Sequence, residues 1–275
     1  MTREQKSGEY VLGHADQELE RLITQARAVD PITRRCFLAA GLAPGMRVLD
    51  VGCGPGDVSF LIAELVGSAG KVVGVDRSPI ALRAASARQA SRSLPNVSFV
   101  EGDAAQLKFE RNFDAVAGRY VLMFQPDPAA MLRRLATHLR PGGVLVFHEI
   151  DWNGARAHPP VPTYDRCCDW IVRTLAQSGA DPRMGAKMAA IMKTAGLPAA
   201  NLHLESFASA GPDNSGLATF TADLARTLLP EMQRLGIATA EDIDIDTMAA
   251  RIVGEMIAGS ATIIGRAEIG AWVRI

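Results

Sequence analysis

The apolar positions of this chain change period several times, and each change marks an element. Leu19, Leu22, Ile23, Ala26 and Val29 recur at three- and four-residue steps, which predicts a helix with one apolar face. Asp30-Pro31 reads as a break, after which a second helix carries Ile32, Phe37 and Leu38 and ends at Gly41. Short runs that are apolar on both sides then alternate with helical stretches. Strands are predicted over 47–51, 71–75, 97–101, 113–117 and 144–150, and helices near 58–66, 79–93 and 129–139. Pro141-Gly142-Gly143 reads as the turn into the fifth strand. This alternation predicts a doubly wound, Rossmann-like α/β sheet.

After Ile150 the pattern loosens. Residues 153–162 are rich in Gly, Ala and Pro and read as a loop. A helix carrying Tyr164, Cys167, Cys168 and Ile171 follows, and another over 183–197. NLHLESF at 201–207 alternates as a strand, a long helical segment runs from about Leu217 to Gly259, and ATIIGRAEIGAWVRI closes as a strand. The expected organisation is one domain over 1–275. It comprises a helical cap (1–43), a ligand-binding core (44–151) and two helical insertions (152–182 and 210–260).

Composition narrows the partners. The 275 residues are 48% hydrophobic, enough for a large core, and 29 basic residues against 30 acidic leave a net charge of −1. A nucleic-acid or anionic-membrane partner calls for a basic face, so both are excluded from the reading. No run reaches membrane-spanning length, and the polar start MTREQKSGE predicts no signal peptide. The four cysteines have no metal-ligand spacing and read as reduced cytoplasmic thiols.

The chemistry concentrates in VLDVGCGPGDVSF, residues 48–60. Val48, Leu49 and Val51 end a buried strand; Gly52, Gly54 and Gly56 suit a tight turn beside something bulky; Asp57 reads as the N-cap of the next helix. The spacing is G-x-G-x-G, not the G-x-G-x-x-G of dinucleotide binders, and Asp50 would repel a diphosphate while suiting an amino-bearing ligand. Asp76 ends the next strand, where a carboxylate can take two ribose hydroxyls. An amino acid, a sulfonium and a ribose without phosphate are combined in S-adenosylmethionine.

These residues resemble motif I of the class I S-adenosylmethionine-dependent methyltransferases, and KVVGVDRSP resembles the acidic loop that follows it. The resemblance continues in order through GDA (102–104), FDAV (113–116) and LRPGGVLV (139–146), covering roughly 46–150. It implies a sheet of about seven strands with the last one antiparallel, the final hairpin pairing 201–207 with 262–274. Ligands of such sheets lie at the carboxyl ends of the strands. For S-adenosylmethionine that rule and the resemblance select Asp50, Gly52, Cys53, Gly54, Gly56, Asp76, Arg77, Gly102, Asp103, Ala104 and Arg119. Asp103 would receive the adenine amino group and Arg119 the ligand carboxylate. Tyr10, near the N-terminal helices, would also touch the cofactor.

Methyl transfer is an in-line displacement that mainly needs donor and acceptor held in line. A base is required only where the acceptor must lose a proton. Base candidates are His148 and Glu149, which point to opposite sides of the fifth strand. Trp152 could stack on a flat acceptor, and His14 and Tyr164 are further acceptor-site candidates. No metal cluster is expected. Apolar insertions and ten methionines favour a small apolar acceptor under a lid, or else a dimer interface. The resemblance implies methylation of a small organic acceptor on O, N or C. Two alternatives stay open: a cofactor-binding domain repurposed for regulatory or cyclase-type work, and a nicotinamide-dependent oxidoreductase.

Overall fold

The parallel sheet follows from where β-branched and aliphatic residues fall in the chain. In the computed structural model, backbone is described for residues 16–109, 112–211 and 214–275, and side chains for these from 26 onward except 27. In chain order the elements are α1 (Asp16–Ala40), β1 (Arg47–Val51), α2 (Asp57–Val66), β2 (Lys71–Asp76), α3 (Pro79–Arg92), β3 (Val97–Glu101), β4 (Phe113–Arg119), α4 (Pro128–Ala136), β5 (Leu139–Asp151), β6 (Arg156–His158), α5 (Pro162–Gln177), α6 (Met184–Thr194), β7 (Asn201–Ala210), α7 (Gly216–Arg234), α8 (Ala240–Ile243), α9 (Met248–Gly259) and β8 (Thr262–Arg274).

Contacts divide the described chain into two units. One holds the chain up to Ile150 with Met184–Glu205 and Glu268–Ile275; the other holds Asp151–Arg183 and Ser206–Ala267. In the first unit the strand order is β3-β2-β1-β4-β5-β8, with β7 also pairing β8. Pairs β1–β2, β2–β3, β1–β4 and β4–β5 are parallel, and the last strands are antiparallel. The order reverses at β1, which lies between β2 and β4, so the carboxyl ends of β1 and β4 form the topological switch point at which ligands of such sheets bind. Val48, Leu49, Val116 and Val146 are buried, as a sheet covered on both faces requires.

Helix α1 is continuous through Pro31, where the sequence predicted a break. Proline inside a helix costs about 3 kcal/mol through its missing N–H and ring clash. Against that, Val29, Ile32, Cys36, Phe37 and Ala40 form one buried stripe spanning both halves, and a fully buried aliphatic or aromatic side chain contributes about 1.5–3 kcal/mol. Packing therefore overrides the breaker. At one point the approach is closer than a side chain allows: a Cβ on Gly270 of β8 would sit 2.0 Å from Cys36 Sγ. Burial pushes the Cys36 thiol up to about 12.

Pro141-Gly142-Gly143 lies inside β5 rather than before it. Phe113 pairs with Leu139 and the next pair is Ala115 with Val144, so the extra residues bulge from the ladder. Gly142 takes the left-handed φ of 80° this needs.

The second unit is built from α5, α7 and α9 packing on one another. Its short β6 falls in the stretch read as a loop and pairs antiparallel with β8, Ala157 opposite Ile263. The segment read as one long helix from 217 to 259 is three helices. Gly236 at φ 64° follows α7, and Thr239 and Asp242 then form a reciprocal capping box that starts α8. The T-x-x-D spacing of Thr239 and Asp242 carries this signature in the sequence. Asp244 in the left-handed region closes α8. Among the described residues no helix is long and apolar enough to cross a membrane.

Gly118 of β4 permits a second close contact: a Cβ there would meet the Phe147 ring at 2.6 Å. Gly118→Ala should destabilise the protein by about 1–3 kcal/mol through overpacking. Phe147→Leu alone should also destabilise, but the double variant should cost clearly less than the sum in urea unfolding. Additive losses would mean that the two sites do not share this contact.

Candidate active site

The glycine turn after β1 works through three left-handed residues. Gly52, Gly54 and Gly56 have φ of 64°, 51° and 91°. A Cβ on Gly52 would strike Val121 at 2.8 Å and one on Gly56 the Phe60 ring at 2.9 Å, whereas nothing lies within 4 Å of one on Gly54. The turn thus packs backward at two glycines and faces open space at the third. The residue preceding α2 is Gly56 in the left-handed region, not Asp57. Asp57 is the first helical residue, and its Oδ1 accepts from Arg88 Nη2 at 2.6 Å while Arg88 Nη1 donates to Pro55 O at 2.6 Å. Cys53 is buried and its N–H donates to Val75 O at 3.0 Å, tying the turn to β2.

Asp76 fixes the rim of this turn. Its Oδ2 accepts from Gly54 N at 2.8 Å and its Oδ1 from Ser78 N at 2.8 Å. Each oxygen retains a second lone pair for a hydroxyl donor. Gly102 N donates to Asp76 O at 2.9 Å, which brings the next loop alongside. There Asp103 has three partners: Arg77 Nη2 at 2.6 Å, Gln106 Nε2 at 2.9 Å and Ala105 N at 2.9 Å. Arg77 is exposed and Ala104 buried.

Asp50 is 1% exposed. Ser59 Oγ donates to its Oδ2 at 2.5 Å, while Oδ1 is buried with no hydrogen-bond partner among the described residues. Burial pushes the carboxyl up to about 7, against the Ser59 hydrogen bond and the Arg119 charge that lower it. An orphaned buried acceptor suits a cationic donor such as an ammonium group. The donor set here therefore fits a cofactor that combines an amino acid with a ribose. Among the described residues no group of His, Cys, Asp and Glu could hold a metal.

Beyond β4 and β5 a buried polar network takes up most of the remaining candidates. Arg119 Nη1 donates to Asp30 Oδ1 at 2.7 Å and to Thr33 Oγ1 at 2.9 Å. Its guanidinium is thus engaged with α1. Thr33 Oγ1 lies 3.1 Å from His148 Nδ1, and His148 Nε2 lies 3.1 Å from Glu268 Oε2. Tyr120 Oη donates to the same Glu268 oxygen at 2.6 Å. Tyr120 holds a left-handed φ of 57°, uncommon for a residue with a Cβ, and its N–H donates to His148 O at 2.9 Å.

His148 and Glu149 do point to opposite sides of β5, but both sides are buried. Glu149 Oε1 accepts from Val121 N at 2.8 Å and Leu122 N at 2.7 Å, so it pins the loop after β4. Burial pushes this carboxyl up to about 8, against those backbone N–H groups. In the other unit, Trp152 is buried beneath the Arg266 guanidinium, 5.5 Å from its ring centroid. Tyr164 is a core residue whose hydroxyl donates to Ile264 O at 2.8 Å. Tyr10 and His14 lie outside the described residues. Neither Tyr120 nor Glu268 is among the residues that the sequence pattern selects. The available signal for Glu268 was a lone acid inside an otherwise apolar strand.

The reversed strand order and the carboxylate-bound glycine turn define a Rossmann-like domain for a nucleoside-bearing ligand. Residues 42–192 match the family model described as a methyltransferase domain, and the chain belongs to that family. It is 37% identical over 121 residues to the demethylmenaquinone methyltransferase of Lactococcus lactis, covering 44% of this chain and 46% of that protein. It is 40% identical over 118 residues to an aklanonic acid methyltransferase of Streptomyces, covering 42% and 54%. The matches span about half the length of these curated relatives. The YcgJ protein of Bacillus subtilis shares the fold, with a TM-score of 0.56 over 90% of this chain and 98% of that one at 17% identity.

The raised Asp50 and Glu149 carboxyls set a pH trend. Their unfolded counterparts ionise near pH 4 and the folded groups only near 7 and 8. Their contribution to stability is therefore fully present below pH 4 and lost as pH rises, by about 1.4 kcal/mol per unit for each group between those limits. Urea unfolding of the free protein should show falling stability from pH 5 to pH 8. Asp50→Asn should flatten the part below pH 7; an unchanged slope would remove Asp50 as its source.

Proposed function

We propose that this protein transfers a methyl group from S-adenosyl-L-methionine to a small organic acceptor. The observation that carries this reading is the pair of strand-end carboxylates: Asp50 with its orphaned Oδ1, and Asp76 spanning Gly54 N and Ser78 N. Asp50 would hold the ammonium, Asp76 the ribose hydroxyls, and the open edge of Gly54 the backbone-close part of the cofactor. The cofactor, when bound, supplies a methyl group already activated on a sulfonium. The chain's own task is to orient it and to keep water from the reacting atoms.

The named substrates of the relatives, demethylmenaquinone and aklanonic acid, support a small, largely apolar acceptor. Four free buried cysteines support a reducing, cytoplasmic setting. The near-neutral charge supports a partner that is neither nucleic acid nor membrane. A homodimer would show in the solution mass.

Calorimetric titration with S-adenosylmethionine, S-adenosylhomocysteine and NADH in parallel tests the reading. The first two should bind at micromolar levels and NADH not at all; binding of NADH alone would end it. Asp76→Ala should weaken S-adenosylmethionine by about 1.5–3 kcal/mol for each charge-assisted hydrogen bond lost. Affinity should rise with pH up to about 7, because the cation binds the ionised form of Asp50.

A further inference from the structure

We propose that Ser59 is a positioning residue for cofactor binding: it fixes the Asp50 carboxyl so that Oδ1 is left to the cofactor's ammonium group. This rests on the methyltransferase reading above. Asp50 lies in β1 and Ser59 in the first turn of α2, both in the unit that holds the parallel sheet. Both side chains are buried, that of Ser59 completely. Ser59 Oγ donates to Asp50 Oδ2 at 2.5 Å, and Oδ1 has no hydrogen-bond partner among the described residues.

Small neighbours make the seat for this hydroxyl. Asp50 is paired with Gly74 on β2 and with Ala117 on β4. A Cβ on Gly74 would lie 2.8 Å from Ser59 Oγ and 2.7 Å from the Phe99 ring. Gly74 is not among the glycines in the left-handed region, so the position uses the missing side chain and not a turn. Glycine weakens a strand interior and marks a close approach there. Here the approaching group is the hydroxyl that holds Asp50.

A hydroxyl has one proton to give. Given to Oδ2, it resists rotation of the carboxyl about its terminal bond and so sets the direction of Oδ1. A serine is also a neutral donor, so it leaves the charge of the carboxylate for a cation, where an arginine or lysine would pair it off. The charged groups acting on Asp50 are Arg119 on β4, Asp76 at the end of β2 and Asp57 on α2. Burial opposes ionisation most strongly, and both acids add to it. Of the two influences that favour the ionised form, the Ser59 hydrogen bond exceeds the Arg119 charge. Ser59 thus does two things for a cationic ligand: it orients the acceptor and helps keep it charged.

The test is calorimetric titration of the full chain at pH 6 and pH 7.5 with S-adenosylmethionine, S-adenosylhomocysteine and methylthioadenosine. The last keeps adenine and ribose and lacks the amino acid. Binding of none of them by the wild type would reject the cofactor reading itself, and this proposal with it. With binding established, Ser59→Ala should weaken the two amino-bearing ligands at least about fivefold at pH 6, the size of a lost hydrogen bond. It should leave methylthioadenosine within about twofold. The loss should shrink at pH 7.5, because without the hydroxyl the carboxyl ionises only at higher pH. In an Asp50→Asn background, Ser59→Ala should cost almost nothing further, since it acts through Asp50. Ser59→Cys, which exchanges the hydroxyl for a weak donor, should show the same order of ligands and serves if the alanine variant does not fold. A hydroxyl that merely ties α2 to β1 would give a different result. Equal losses on all three ligands, a loss independent of pH, additive losses in the double variant, or unchanged affinities would each overturn the proposal while leaving the cofactor reading intact.

Discussion

One carboxylate joins the parts of the cradle. Asp76 accepts from Gly54 in the turn after β1 and from Ser78 ahead of α3, while its carbonyl accepts from Gly102 after β3. Three loops that leave three different strands are thereby referred to one residue. Loops do not gain such order from their own contacts, since each residue fixed costs about 1–2 kcal/mol of backbone entropy. A charge-assisted hydrogen bond of about 1.5–3 kcal/mol to each of the first two loops is the right size to offset it. One group thus orders the cradle.

A second ordering principle operates deeper, where polar groups are buried at cost. Asp50 and Glu149 sit where burial outweighs the hydrogen bonds they accept, and both carboxyls are raised well above their ordinary range. Neither placement serves the stability of the free protein at neutral pH. Asp50 keeps an unpaired acceptor dry, and Glu149 holds backbone that the sheet does not pair. The network from Asp30 through Arg119, Thr33 and His148 to Glu268 differs, because its members lie within contact of one another. It ties α1, β4, β5 and β8 by polar contacts that a packing argument alone would not supply.

The sheet and the cradle were legible because their signals are local. Five apolar runs with helical spacers announce a doubly wound fold, and an acid at the end of each of two runs announces Asp50 and Asp76. What was lost came from distance or from competition. Tyr120 and Glu268 are 148 residues apart, and no period or spacing relates them. Pro31 is a strong local breaker that a longer buried stripe overrules. The alternation at His148 and Glu149 holds, but alternation distinguishes faces only where one is wet, and β5 is covered on both. Asp57 was given a capping role that Gly56 takes, because the chain enters α2 through a conformation that glycine adopts cheaply.

The contact between Cys36 and Gly270 carries a consequence for descent. With 2.0 Å between the sulfur and the space a methyl would fill, position 270 cannot gain a side chain while Cys36 stands without disturbing the seat of α1 on β8. A lineage that acquires a side chain at 270 must first pass through a smaller residue at 36. Positions 234 residues apart in the chain are thus expected to drift as one character, and in a fixed order of steps.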